Sequence, residues 1–149
     1  MQLDRSWIES HIPHRKAMCL LDQVAAWNTE RITCTASSHR SGSNPLRADN
    51  MLSSACGIEY AAQAMAIHGA LLAGLHNDRA PKTGYLISVR EVELLVPRLD
   101  DIQANLEIIA ERIAGDVNNV LYRFSVRETT RVLLAGRVGV RLDATAAQP

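Results

Sequence analysis

The sequence predicts an α+β domain in which an antiparallel sheet wraps one long central helix. Three observations carry this expectation. From about Leu52 to Gly74 the chain is rich in Ala, Leu, Met and Ile, holds no proline and is apolar nearly all the way round. That pattern belongs to a helix covered on most sides rather than one lying on a surface. Four segments after it alternate apolar and polar residues with period two, the signature of half-buried strands. Short turns separate the last three, which makes them antiparallel neighbours.

Taken in order, Met18 to Ala26 and Arg31 to Ser38 read as two short strands, the second alternating Ile32, Cys34 and Ala36 with Thr33, Thr35 and Ser37. Ser38 to Asn50 is a loop of His, Arg, Ser, Gly, Asn and Pro, residues that favour turns. Ser53 or Ser54 is placed to cap the long helix, which is about 35 Å long if it reaches Gly74. A polar linker at His76 to Thr83 leads to strands at Tyr85 to Val96, Ile102 to Ile113, Asn119 to Glu128 and Arg131 to Leu142, with turns at Gly115-Asp116 and Thr129-Thr130. No repeat or linker divides the chain, so one domain over 1–149 is expected, with a loose tail at 144–149.

Net charge is zero, from 16 basic and 16 acidic residues among 149, which gives no global bias toward nucleic acid or a membrane surface. Only Lys16 and Lys82 are lysines, so nearly all the basic residues are arginines, suited to bidentate pairing with carboxylates or phosphates. Cys19, Cys34 and Cys56 are odd in number and lack a C-x-x-C spacing, pointing away from a disulfide framework or zinc site and toward a reducing cytoplasm. No apolar stretch follows the charges of Met1 to Arg5, so no signal peptide is expected. The longest apolar run, Ala61 to Gly74, is interrupted by Gln63 and His68 and is too short to span a bilayer.

Glu59 is the informative residue. It is the only acidic side chain between Met51 and Gly74, and a carboxylate buried there is costly unless it is paired, hydrogen-bonded or protonated. A carboxyl in an apolar cleft is a way to prepare a general acid near neutral pH; an ion pair across a subunit contact is the structural alternative. Gln63 lies four residues on, on the same face, where its amide can orient the carboxyl. His68 falls on the opposite side of the helix, as a core or interface histidine. Ser54, Cys56 and Gly57 put backbone N–H groups at the helix start, where they can receive a developing thioester oxyanion.

Two motifs then point to a family. Ile12-Pro13-His14-Arg15, continuing through Met18-Cys19-Leu20-Leu21-Asp22-Gln23-Val24, resembles the PHR…LLxDxV opening of bacterial 3-hydroxyacyl-acyl-carrier-protein dehydratases. Gly57-Ile58-Glu59-Tyr60-Ala61-Ala62-Gln63-Ala64 resembles the E-x-M-A-Q segment of their central helix. The resemblance implies a hotdog fold, a dimer with active sites at the subunit interface, and Glu59 in the place of the catalytic acidic residue. It further implies acyl chains carried on phosphopantetheine in a tunnel beside the helix, loss of water to give a trans-2-enoyl chain, and neither metal nor redox cofactor.

The family's histidine motif, H-F-P-G, is replaced by Gly42-Ser43-Asn44-Pro45-Leu46, putting Asn44 at or beside the histidine position. The sequence thus resembles a divergent dehydratase branch associated with aryl polyene and related lipid clusters. His39 is the nearest other imidazole. Three functions follow as expectations: a dehydratase using Glu59 with help from Asn44 or His39; a hotdog thioesterase using Asn44 with Glu59; or a non-catalytic subunit. Ser54, Gly57 and Gln63 are expected to contact substrate, and Arg40, Arg47, Arg90 and Arg98 to meet an acidic acyl carrier protein. A homodimer, an assembly of dimers or a pair with a related dehydratase is expected from the unpaired sheet edge.

Overall fold

The computed structural model describes residues 2–13, 16–75, 83–116 and 118–143. Its elements run α1 (Arg5–His11), β1 (Gln23–Trp27), β2 (Arg31–Ala36), α2 (Gly57–Leu75), β3 (Thr83–Leu94), β4 (Leu106–Gly115), β5 (Asn119–Glu128) and β6 (Arg131–Asp143). The strands form one sheet in the order β1-β2-β4-β5-β6-β3, every neighbouring pair antiparallel. The alternation that predicted β5 also sets its inward face: Val120, Tyr122, Phe124 and Val126 are buried, opposite Val140, Val138, Gly136 and Leu134 of β6. Helix α2 packs against β2, β4 and β5.

The helix is covered over much of its circumference. Tyr60, Ala61, Gln63, Ala64, Met65, Ile67, His68 and Leu71 are buried, whereas a strip at Ala66 and Gly69 is left exposed. Its start is tight against the sheet. A methyl group on Gly57 would stand 2.6 Å and 2.9 Å from the two δ carbons of Leu134 on β6, so any larger residue here requires the Leu134 side chain to move.

Several boundaries differ from the sequence expectation. The segment Met18 to Ala26 is not one strand: Lys16–Met18 is a single 3-10 turn, and only Gln23–Trp27 pairs with β2. Cys19, Leu20 and Leu21 are buried, but side-chain hydrogen bonds rather than a ladder hold their backbone. Helix α2 begins at Gly57, after a 3-10 turn at Ser54–Cys56 whose Ala55 N–H is accepted by the Ser53 hydroxyl at 3.3 Å. Strand β4 starts at Leu106, not Ile102; Leu99 and Ile102 are buried anchors of the irregular crossover before it. Helix α1 escaped the sequence reading because its seven residues offer one buried position, Ile8, to a periodicity search. The linker at 76–82 and the tail at 144–149 lie outside the described residues.

Strand β3 lies at an edge and is apolar on exposed positions. Leu86, Ile87, Val89 and Leu94 are exposed, as is Leu95 beyond its end. Two register shifts and a positive φ at Glu91 break its regularity.

Candidate active site around Glu59

Glu59 stands half-buried in the first turn of α2, where the helix dipole favours an acidic side chain. Gln63, one turn on, is fully buried. Its Oε1 accepts from the Leu20 N–H at 2.9 Å, and its Nε2 donates to the Met18 carbonyl at 2.8 Å and to Glu59 Oε1 at 3.4 Å. The expected pairing of Gln63 with Glu59 is thus present, together with two bonds to the strap over 16–22 that spacing on one helix does not reveal.

Arg5 holds the other side of this strap, donating to the Lys16 and Cys19 carbonyls at 2.7 Å each. Ser38 closes it from below, its hydroxyl donating to the Leu20 carbonyl at 2.7 Å. Since a carbonyl only accepts, that hydroxyl hydrogen is spent, and the Ser38 Oγ accepts from the Tyr60 hydroxyl at 2.7 Å. Tyr60 in turn accepts from Asn44 Nδ2 at 3.0 Å. Burial pushes the Tyr60 hydroxyl above its usual range, so it stays a neutral donor.

Asn44 is therefore placed as a pin of its loop. Besides Tyr60, Nδ2 donates to the Ser38 carbonyl at 3.0 Å, and Oδ1 accepts from the Leu46 N–H at 2.9 Å. Both amide hydrogens and the carbonyl are engaged within the chain. His39 is fully buried, with Nε2 3.0 Å from both the Ile102 and Ala104 carbonyls. These partners require a proton on Nε2. Nδ1 has no partner among the described residues, and burial lowers the imidazole below its ordinary pKa. His68 is a core histidine: Nε2 donates to the Asn28 carbonyl at 2.8 Å, and Nδ1 accepts from the Tyr122 hydroxyl at 2.7 Å.

The helix start offers less than expected. The Ser54 N–H is spent on the Pro97 carbonyl at 3.2 Å, and that of Gly57 points back to the Ser54 and Ala55 carbonyls. Three of the four expected docking arginines have partners in the chain. Arg40 binds the Gln103 carbonyl and Asn105, Arg47 binds Asn50, and Arg98 forms a two-pronged bond with Asp100. Asp100 also accepts from the Leu52 N–H at 3.0 Å, tying the segment before α2 to the crossover after β3. Arg90 is exposed on β3. Among the described residues no cluster of three His, Cys, Asp or Glu side chains is placed to hold a metal ion, and no helix is long and apolar enough to cross a membrane.

A family model described as ApeP dehydratase matches residues 6–148. The chain belongs to the ApeP-like dehydratase family. Among solved structures, this ApeP-like chain is similar to the dehydratase heterocomplex ApeI:P of Xenorhabdus doucetiae, with 22% identity and a TM-score of 0.79 over 91% of this chain and 90% of that one. It is also similar to a Pseudomonas aeruginosa thioesterase at 10% identity and TM-score 0.65, covering 94% of each chain. A Haemophilus influenzae thioesterase matches at 14% identity and TM-score 0.54, over 80% of this chain and 76% of that one. Among curated proteins none matches. The shared architecture is the hotdog fold, as the two motifs implied.

Sequence reasoning missed Arg5, Ser38 and Tyr60 as supports of the site. For Tyr60 a signal was available, since it is the only Phe, Tyr or Trp in α2. Arg5 and Ser38 carry none, because the bonds by which they hold the strap run to backbone carbonyls 11 to 18 residues away.

Proposed function

We propose that this ApeP-like chain serves as a subunit of a cytoplasmic 3-hydroxyacyl-carrier-protein dehydratase, with Glu59 as its proton-transferring group. Water is lost from a 3-hydroxyacyl thioester to give the trans-2-enoyl thioester, in fatty-acid or aryl-polyene type synthesis. The observation that carries this reading is Glu59, the one acidic residue of α2, held in the helix's first turn with Gln63 donating to it. Elimination needs a base for the proton next to the thioester and an acid for the departing hydroxyl. A carboxyl serves as either, and no cofactor beyond the substrate's phosphopantetheine is called for.

The second titratable group, on this reading, comes from a partner subunit. Asn44 cannot titrate and is fully engaged, and the His39 Nε2 is committed to two carbonyls. The apolar β3 edge is the surface on which a second copy or a related dehydratase would dock. That the ApeI:P neighbour is a heterocomplex of dehydratases supports a two-subunit enzyme. Arg90, exposed on β3, is the expected rim contact for an acidic carrier protein.

The test is to incubate a 3-hydroxyacyl carrier protein with the chain alone, with a related dehydratase subunit added, and with Glu59→Gln in place of the parent, following products by mass. Loss of water in the assembled sample and its disappearance with folded Glu59→Gln is the expected result. Release of free acid would establish the thioesterase reading that two neighbours raise. Equal turnover by Glu59→Gln would remove Glu59 from the mechanism.

A further inference from the structure

We infer that Gln63 is the positioning residue of the site, transmitting the placement of the strap over 16–22 to the Glu59 carboxyl and always presenting it with an N–H. The inference rests on the proposed role of Glu59. An amide's orientation is assigned from its partners, and here the partners leave one choice. The Leu20 N–H at 2.9 Å needs an acceptor, and the Met18 carbonyl at 2.8 Å needs a donor. Flipping the amide would set N–H against N–H and oxygen against oxygen in a fully buried position, leaving all of them unsatisfied.

With Oε1 assigned to Leu20 and one amide hydrogen to Met18, the second hydrogen is directed to Glu59 Oε1 at 3.4 Å. That contact is long, as catalytic hydrogen bonds often are before substrate binds. The strap does not depend on Gln63 alone. Arg5 holds the Lys16 and Cys19 carbonyls and Ser38 holds that of Leu20, so Gln63 is aimed by a segment fixed from both sides. The remaining hydrogen comes with the amide, and here it meets the candidate catalytic carboxyl.

Gln63→Glu keeps the shape and the acceptor for Leu20 but donates only when protonated; Gln63→Met keeps the volume with neither function. Both are measured in the assembly for which turnover is found, whether dehydration or hydrolysis. Gln63→Glu is expected to lose about tenfold or more in kcat at neutral pH with KM little changed. When protonated, its carboxyl has one hydrogen where the amide has two, and the Met18 carbonyl competes for it, so activity should return only in part as pH falls, whereas Gln63→Met stays low at every pH. Either variant with the parent's kcat and pH profile overturns the inference. Where Gln63→Glu does not fold, Arg5→Gln replaces it: kcat should fall in the parent and be unaffected in the Gln63→Met background, because the coupling runs through Gln63. Equal losses in both backgrounds would overturn the inference. An active Glu59→Gln removes the reading of Glu59 and this inference together; an inactive one beside a Gln63→Glu with parental behaviour removes this inference alone.

Discussion

Asn44 donates to the Tyr60 hydroxyl at 3.0 Å, so the loop position that the sequence resemblance sets at or beside the dehydratase histidine is joined here to the residue beside Glu59 and faces the interior. Asn44 is 6% exposed and Tyr60 fully buried. Replacing Asn44 by His is therefore expected to damage the loop rather than restore a base. The larger ring cannot serve Ser38, Tyr60 and Leu46 together, and buried polar groups left unpaired cost about 1–3 kcal/mol each. A melting temperature lowered by several degrees with no gain in turnover is the expected outcome; a faster, equally stable enzyme would show that the loop can turn outward.

Tyr60→Phe tests the same network from the helix. It removes the acceptor for Asn44 and the donor to Ser38 while keeping the ring, so a loss of about 1–2 kcal/mol in chemical denaturation is expected. An unchanged midpoint would mean that water replaces the hydroxyl.

The stability should fall in acid in two steps. Burial lowers the pKa of both His39 and His68, so the folded protein resists protons that the unfolded chain takes up from about pH 6.5 downward. Stability is therefore complete above that pH and declines as pH drops toward the folded values. The Arg98 fork, the largest cause, holds the Asp100 carboxyl well below the usual carboxylate range. Its contribution is present above about pH 4 and is lost as pH falls further. Urea midpoints measured from pH 8 to pH 3 should decline across both windows, and His68→Gln should flatten the first. A midpoint constant from pH 8 to pH 5 would contradict the buried-histidine account.

Gly57→Ala should destabilise by about 1–3 kcal/mol, the usual cost of overpacking. The added methyl would stand 2.6 Å from a δ carbon of Leu134, a fully buried side chain that must shift to make room. Thermal unfolding reads this directly. An effect near zero would show that α2 shifts off β6 at little cost.

Ile87→Lys should weaken association while leaving the single chain nearly as stable, because Ile87 is 58% exposed on the edge strand and surface substitutions are usually within about 0.5 kcal/mol. A smaller mass by light scattering, with turnover reduced in proportion, is expected. A mass equal to the parent's would place the subunit contact elsewhere.

The sequence by itself determined the wrapped helix, the antiparallel strands and Glu59 as the residue to test. Each of these is written in local pattern: an apolar run, a period of two, one charge among apolar neighbours. The i+4 relation of Glu59 and Gln63 was legible for the same reason, since helix geometry places both on one face. Only the tertiary structure decided what Asn44, His39 and Arg98 do, because their partners are carbonyls, a hydroxyl and a carboxylate brought near by the fold. It also turned Cys19 to Asp22 from strand to strap. An apolar stretch reads alike in either state, and what separates them is whether the backbone bonds run to a neighbouring strand or, as here, largely to Arg5, Ser38 and Gln63. Hydrogen bonds between residues distant in sequence leave no period to read, and in this protein those bonds select which polar residues support the loop and which remain available for chemistry.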